Sequence, residues 1–229
     1  MNRLFYVAVF AIALIAGGGW KLLQPSPEQV ASGAFPLPGA AMAQETTATD
    51  DDAAAPEIME MVLGAEDAPV EIIEYASYTC PHCGNFHNGP YKQLKADYID
   101  TGKVRFVYRE VYFDRYGVWA SMIARCAGTQ EAFFGITDML YETQSSWSRA
   151  GSDAAIADEL RKIGRVAGIS ADQMEACLTD GDKVRALVEW FRANATEHNI
   201  DSTPSFVING TKYANMPYDE MSALIEEGL

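Results

Sequence analysis

A chain of 229 residues that is 48% hydrophobic and 21% charged can bury one good core and carry an appendage, but has no room for several large domains. Its formal charge of −15 argues against nucleic-acid binding, since phosphate contacts need clustered Lys and Arg. The acidity belongs to the body of the chain, because residues 1–43 hold only Arg3, Lys21 and Glu28.

The chain opens with Asn2-Arg3, the apolar run Leu4 to Ala16 and then Gly17-Gly18-Gly19-Trp20-Lys21, the n-region and h-region of an export signal. The uncharged stretch Leu4 to Trp20 is at the short limit for a membrane span, so residues 1–23 read as either a signal peptide or a retained membrane anchor. Either way the body is expected in the periplasm. Two cleavage readings compete, one near Ala16-Gly17-Gly18 and one at Ala41-Met42-Ala43, a good small-x-small site far from the h-region. Residues 24–57 hold Pro25, Pro27, Pro36, Pro38 and Pro56 with Ala, Thr and Asp50-Asp51-Asp52, a composition that cannot bury a core and reads as a linker.

Order is expected from Ile58. Ile58 to Leu63 alternates like a strand, Gly64 to Pro69 is a turn, and Val70 to Tyr75 is a second strand. Then comes Cys80-Pro81-His82-Cys83, followed by a helix over Cys83 to Tyr98 that Pro90 should kink. Cys80 therefore sits at a strand-to-helix turn, facing helix amides and the positive end of the dipole. Thiolate is the attacking species in disulfide exchange, and these surroundings lower a thiol pKa. His82 adds a donor, and when protonated a charge. Pro81 fits the first turn, where a missing N–H costs nothing.

Two other readings of the tetrapeptide stay open. With His82 or His87 it could hold zinc, although no second Cys-x-x-Cys or His-x-x-x-His follows at zinc-finger spacing. It could also be an inert disulfide, although so tight a loop tends to be reducible.

Lys103 to Tyr112 reads as a third strand, so the order strand, helix, strand implies a crossover and a parallel pair. From Asp114 to about Asn199 apolar residues recur at spacings of three and four, as in Val118, Met122, Cys126 and in Ile156, Leu160, Ile163, and Ser170 looks like a helix cap. Ser205 to Ile208, the turn Asn209-Gly210 and Thr211 to Tyr213 form a hairpin signal. Tyr218 to Gly228 is a last helix.

Three pieces together, Cys80-Pro81-His82-Cys83 after a strand, the helical block, and Thr203-Pro204-Ser205-Phe206-Val207-Ile208-Asn209-Gly210, resemble the DsbA-type thiol:disulfide oxidoreductases of the thioredoxin superfamily over about residues 58–229. The resemblance implies an α/β thioredoxin fold, a central mixed sheet flanked by helices, formed by residues 58–113 and 200–229 with an inserted helical domain at 114–199. It makes Cys80 the nucleophile and Cys83 the buried resolving cysteine. It makes Thr203-Pro204 the cis-proline loop that offers backbone groups to an extended substrate. It also makes Glu74 a buried carboxylate that assists proton movement at Cys83, against the plainer reading of a solvated strand residue. Glu71, three positions away, faces the opposite side of the strand.

Some exported relatives carry a second disulfide, which would pair Cys126 with Cys177; the alternative is two buried free thiols. His87, four residues after Cys83 on the first helix, could tune the electrostatics of the active site but is more simply an exposed helix residue, and His198, with no visible partner set, is a surface or core residue. The function implied is oxidation of reduced exported proteins through a mixed disulfide, with no cofactor or metal and a DsbB-like membrane protein as reoxidant. An isomerase or reductase using the same residues remains the alternative, and a metal-binding thioredoxin-like module is a more distant one.

Overall fold

A five-stranded mixed sheet in the order β1-β3-β2-β4-β5 organises the chain. The computed structural model describes residues 56–229; the signal or anchor at 1–23, both cleavage readings and the linker up to residue 55 lie outside the described residues. The strands are β1 (Met61–Leu63), β2 (Val70–Ala76), β3 (Val104–Glu110), β4 (Ser205–Ile208) and β5 (Thr211–Ala214). β2 pairs in parallel with β3 and antiparallel with β4, and both edge strands, β1 and β5, pair antiparallel with their neighbours. β2 is thus central and almost entirely buried, which is why Val70, Ile72, Ile73, Tyr75 and Ala76 read as a near-continuous apolar run.

The expected helix over Cys83 to Tyr98 is broken into three pieces. α1 spans Pro81–Asn88, α2 spans Pro90–Leu94, and Lys95–Ile99 forms a π-helical turn closed by Asp100 N–H on the Lys95 carbonyl. The break falls at Gly89, whose φ of −135° and ψ of −94° leave the helical region, because Pro90 has no N–H to continue the ladder and restricts the residue before it. Pro90 then starts α2, as Pro81 starts α1. The first strand is shorter than its alternating pattern suggested, since only Met61 to Leu63 find partners on β3. β3 likewise stops at Glu110.

Between β3 and β4 run α3 (Arg115–Cys126), α4 (Gln130–Glu142), α5 (Gln144–Trp147), α6 (Asp153–Val166), α7 (Ala171–Leu178) and α8 (Gly181–Glu197). Most start on a side-chain cap: Asp114, Thr129, Ser152, Ser170 and Asp180 each accept a backbone N–H of the first turn. Cys126 at the end of α3 is disulfide-bonded to Cys177 on α7, 51 residues away. α9 (Tyr218–Gly228) closes the chain. In the β4–β5 turn Asn209 and Gly210 both take positive φ, 45° and 82°, the pair of left-handed residues that a two-residue hairpin requires.

One apolar cluster joins Ile72, Phe106, Tyr108 and Phe206 of the sheet to Phe86 and Tyr91 of α1 and α2 and to Phe133, Leu140, Tyr141 and Trp147 of the helical segment. The helical segment therefore shares its core with one face of the sheet. The other face, with Ile73, Tyr75, Val107 and Val207, is covered by a smaller cluster that includes Phe191 and Ile200. His198 belongs to that far side, half-buried, with its Nδ1 2.6 Å from the Tyr75 hydroxyl.

Candidate active site

Cys80 occupies the N-cap of α1 with φ −80° and ψ 118°, an extended residue whose carbonyl accepts the Gly84 N–H at 3.1 Å as the first bond of the helix. Its own N–H closes the preceding turn on the Ser77 carbonyl at 3.1 Å. The following residue is Pro81, so the first free amides of the helix are those of His82 and Cys83, and both favour the Cys80 thiolate. Cys80 is partly exposed, Cys83 is fully buried, and both are free thiols.

The two sulfurs are pushed in opposite directions. Cys80 is lowered to about 5, first because the Cys83 thiol donates to it, with burial opposing, and then through Thr203 and the amides of Cys83 and His82. Cys83 is pushed far up by burial first, then by the Cys80 sulfur and the negative charge of Glu74. As a thiol Cys80 lies 3.4 Å from the Thr203 carbonyl. A thiolate cannot donate; it draws instead on donors, and the buried Thr203 hydroxyl has no hydrogen-bond partner among the described residues. The Thr203–Pro204 peptide bond is cis, and Pro204 is buried beside it.

Beneath the thiols, Glu74 of β2 is fully buried and its Oε2 lies 2.9 Å from Nε2 of His87 on α1, itself only 2% exposed. His87 is stacked on Tyr141 with ring centroids 4.2 Å apart and packs against Tyr91 at 4.5 Å. Glu74 Oε1 and His87 Nδ1 have no protein partner among the described residues. His87 is therefore not the exposed helix residue its position alone suggested. It lies four residues after Cys83, one turn along the same helix face, and that spacing was the available signal. Its Nε2 is committed to Glu74 rather than to a metal, and among the described residues no cluster of three or more His, Cys, Asp or Glu could hold an ion.

His82 is exposed and borders an open groove of about 380 Å³ that Phe86, Pro90, Met216 and Pro217 also line. Glu71 lies on the other face, half-exposed and paired with Arg105. The geometry brings Cys80, Cys83, Thr203, Pro204 and, beneath them, Glu74 into one site; Cys126 and Cys177 bond to each other in the helical segment.

A family profile described as Thioredoxin matches residues 57–227. The chain belongs to the thioredoxin family. Among its relatives, a Rickettsia bellii protein provisionally named protein-disulfide oxidoreductase is 31% identical over 170 residues, 74% of this chain but only 64% of that protein's length. Disulfide bond formation protein D of Bacillus subtilis is 28% identical over 179 residues, covering 73% of this chain and 76% of that protein. Among solved structures, α-DsbA1 of Wolbachia pipientis superposes with a TM-score of 0.68 at 25% identity, covering 78% of this chain and 95% of that one. Oxidised BdbD of Bacillus subtilis superposes with a TM-score of 0.63 at 25% identity, covering 74% of this chain and 92% of that one. The mixed sheet and helical insertion are those that the sequence resemblance implied, and they superpose on solved DsbA-type structures.

Proposed function

We propose that the protein introduces disulfide bonds into exported proteins, using the Cys80–Cys83 pair as a dithiol and disulfide. The observation that carries this reading is the opposed pair of thiols: Cys80 held near 5 and partly exposed, Cys83 buried and pushed far up. Stabilising the Cys80 thiolate stabilises the reduced enzyme, which makes its disulfide a stronger oxidant.

A substrate thiolate attacks Cys80 of the oxidised enzyme, the Cys80–Cys83 bond breaks, and Cys83 leaves as a thiolate that takes up a proton. A second substrate thiolate then attacks the substrate sulfur of the mixed disulfide. The substrate gains one disulfide, and Cys80 departs as a stable thiolate. The buried Glu74 is the proton carrier for Cys83, with His87 at 2.9 Å sharing that proton. Thr203 and Pro204, with the Thr203 carbonyl 3.4 Å from the Cys80 sulfur, form the platform against which an extended substrate lies. In this reading residues 58–113 and 200–229 are the thioredoxin domain and 114–199 the inserted helical domain, stapled by Cys126–Cys177.

The setting is the periplasm, reached through residues 1–23, which serve as signal or tether; among the described residues no helix is long and apolar enough to cross a membrane. A quinone-linked, DsbB-like membrane protein would restore the disulfide.

Equilibration of the purified protein with glutathione tests the direction. The expected potential is well above the about −270 mV of thioredoxin. A value near thioredoxin's would contradict the oxidase reading and favour a reductase or isomerase working through the same residues.

A further inference from the structure

We infer that Gln144, on the helical insertion, is a positioning residue for the exchange thiol, reaching across to fix the two carbonyls that bracket the Cys80 turn. Its carboxamide has two N–H groups and uses both: Nε2 donates to the Tyr78 carbonyl at 2.8 Å and to the Cys80 carbonyl at 2.9 Å. These contacts close 66 and 64 residues of sequence, and they join the insertion to the backbone of the reacting residue itself.

The base of this side chain is held firmly. α5 is a single turn, and Trp147 anchors it, fully buried with Nε1 donating to the Leu140 carbonyl at 2.8 Å. Ser148 Oγ donates back to the Gln144 carbonyl at 2.6 Å. At the other end the carboxamide oxygen lies over Gly84: a Cβ on that glycine would stand 2.6 Å from Gln144 Oε1. Gly84 has no positive φ, so it is glycine for close approach rather than for backbone freedom. A second tie runs in parallel, since Thr79 Oγ1 donates to Asp114 Oδ2 at 2.7 Å, and Asp114 caps α3 through its other oxygen. The turn between β2 and α1 is thus gripped from the insertion on both sides.

The Cys80 carbonyl has two lone pairs; one takes the Gly84 N–H and the other Gln144. With both used, the plane of the Cys80–Pro81 peptide is set. The orientation of the first turn of α1, and hence the aim of the His82 and Cys83 amides at the sulfur, follows from it. Without Gln144 that plane has one restraint instead of two, and the Tyr78 carbonyl has lost a donor. The amides then spend less time on the sulfur. The consequence is a weaker thiolate preference and a less oxidising disulfide, with the fold kept by the shared core.

This inference rests on the reading of Cys80 as the exchange thiol, and the experiment separates the two. Thiolate absorbance of the reduced, full chain is titrated for the wild type, Gln144→Met and Gln144→Glu, both close in length to glutamine so that no large cavity opens. Folding is checked by circular dichroism, and each protein is equilibrated with glutathione. Both variants are expected to titrate about one unit higher than wild type, with about a tenfold shift in the glutathione equilibrium. A residue that served stability alone would lower the melting temperature and leave the titration in place. Folded Gln144→Met with a midpoint and equilibrium within about twofold of wild type would overturn the role of Gln144. If the wild type itself titrated as an ordinary thiol, the reading of Cys80 would fail instead.

Discussion

Cys83→Ala is expected to abolish turnover while leaving Cys80 competent to react, so that the variant accumulates on its substrates as mixed disulfides. The asymmetry follows from burial. Cys83 is inaccessible and strongly biased toward the neutral thiol, so it cannot be the group that meets substrate. Its part is to leave from the enzyme disulfide and, in the reverse sense, to release a trapped substrate. Without it the Cys80–substrate bond has no internal route of escape. The removed sulfur is also the first cause of the low Cys80 value, so the remaining thiol should titrate higher than in the wild type. Non-reducing electrophoresis of disulfide-bonded exported proteins incubated with the reduced variant checks this: the Cys80 thiolate attacks one sulfur of the substrate disulfide, and the other sulfur leaves as a thiolate. Trapped adducts that vanish on reduction and are absent from Cys80→Ser are expected. Adducts on Cys80→Ser would mean that another thiol does the exchange.

Glu74→Gln is expected to slow release from a preformed Cys80–peptide mixed disulfide by about a hundredfold near neutral pH, the scale of a lost proton-transfer group. Two effects oppose each other. Removing the carboxylate lifts one of the influences that keep Cys83 protonated, which would favour its ionisation. Burial stands ahead of Glu74 among those influences, however, so most of the bias toward the thiol remains, and the internal base is gone. The proton must then leave by solvent, and the release rate should climb with hydroxide across the neutral range. The amide is isosteric and can still bond His87, so the packing against Tyr91 and Tyr141 is kept. Stopped-flow release measured from pH 6 to 9 decides it. A wild-type rate and an unchanged pH profile would remove Glu74 from the chemistry.

The parts of the fold that were legible in the sequence were those specified locally. The Asn209-Gly210 turn demands positive φ and announces its hairpin; Ser170 announces a cap; the spacing of Tyr218 to Gly228 gives a helix with the bounds the structure shows. Cys80-Pro81-His82-Cys83 and Thr203-Pro204 are 120 residues apart, and only resemblance to a family brought them together. What could not be read were contacts that tertiary packing creates between ordinary residues. Glu110 and Arg125 form a buried two-armed ion pair, at 2.6 and 2.7 Å, between the end of β3 and α3, yet neither shows in a helical or strand period. Gln144 has no motif, because its partners are backbone carbonyls whose sequence neighbours carry no trace of it. His87 was visible only as a spacing, and its burial against Tyr141 depends on where the insertion packs.

The Cys80 sulfur is expected to be a thiolate where an ordinary cysteine is a thiol. Thiolate absorbance of the reduced wild-type chain, followed from pH 3 to 9, measures this directly, with Cys80→Ser to assign the transition. The depressed value also fixes a sign for stability. The thiolate supports the reduced fold above the pKa of the unfolded chain, about 8.5, and that support is lost as the pH falls through the folded value near 5. The expected result is a single transition near 5 that disappears in Cys80→Ser. A first transition at about 8.5, the value of an unperturbed cysteine, would contradict it.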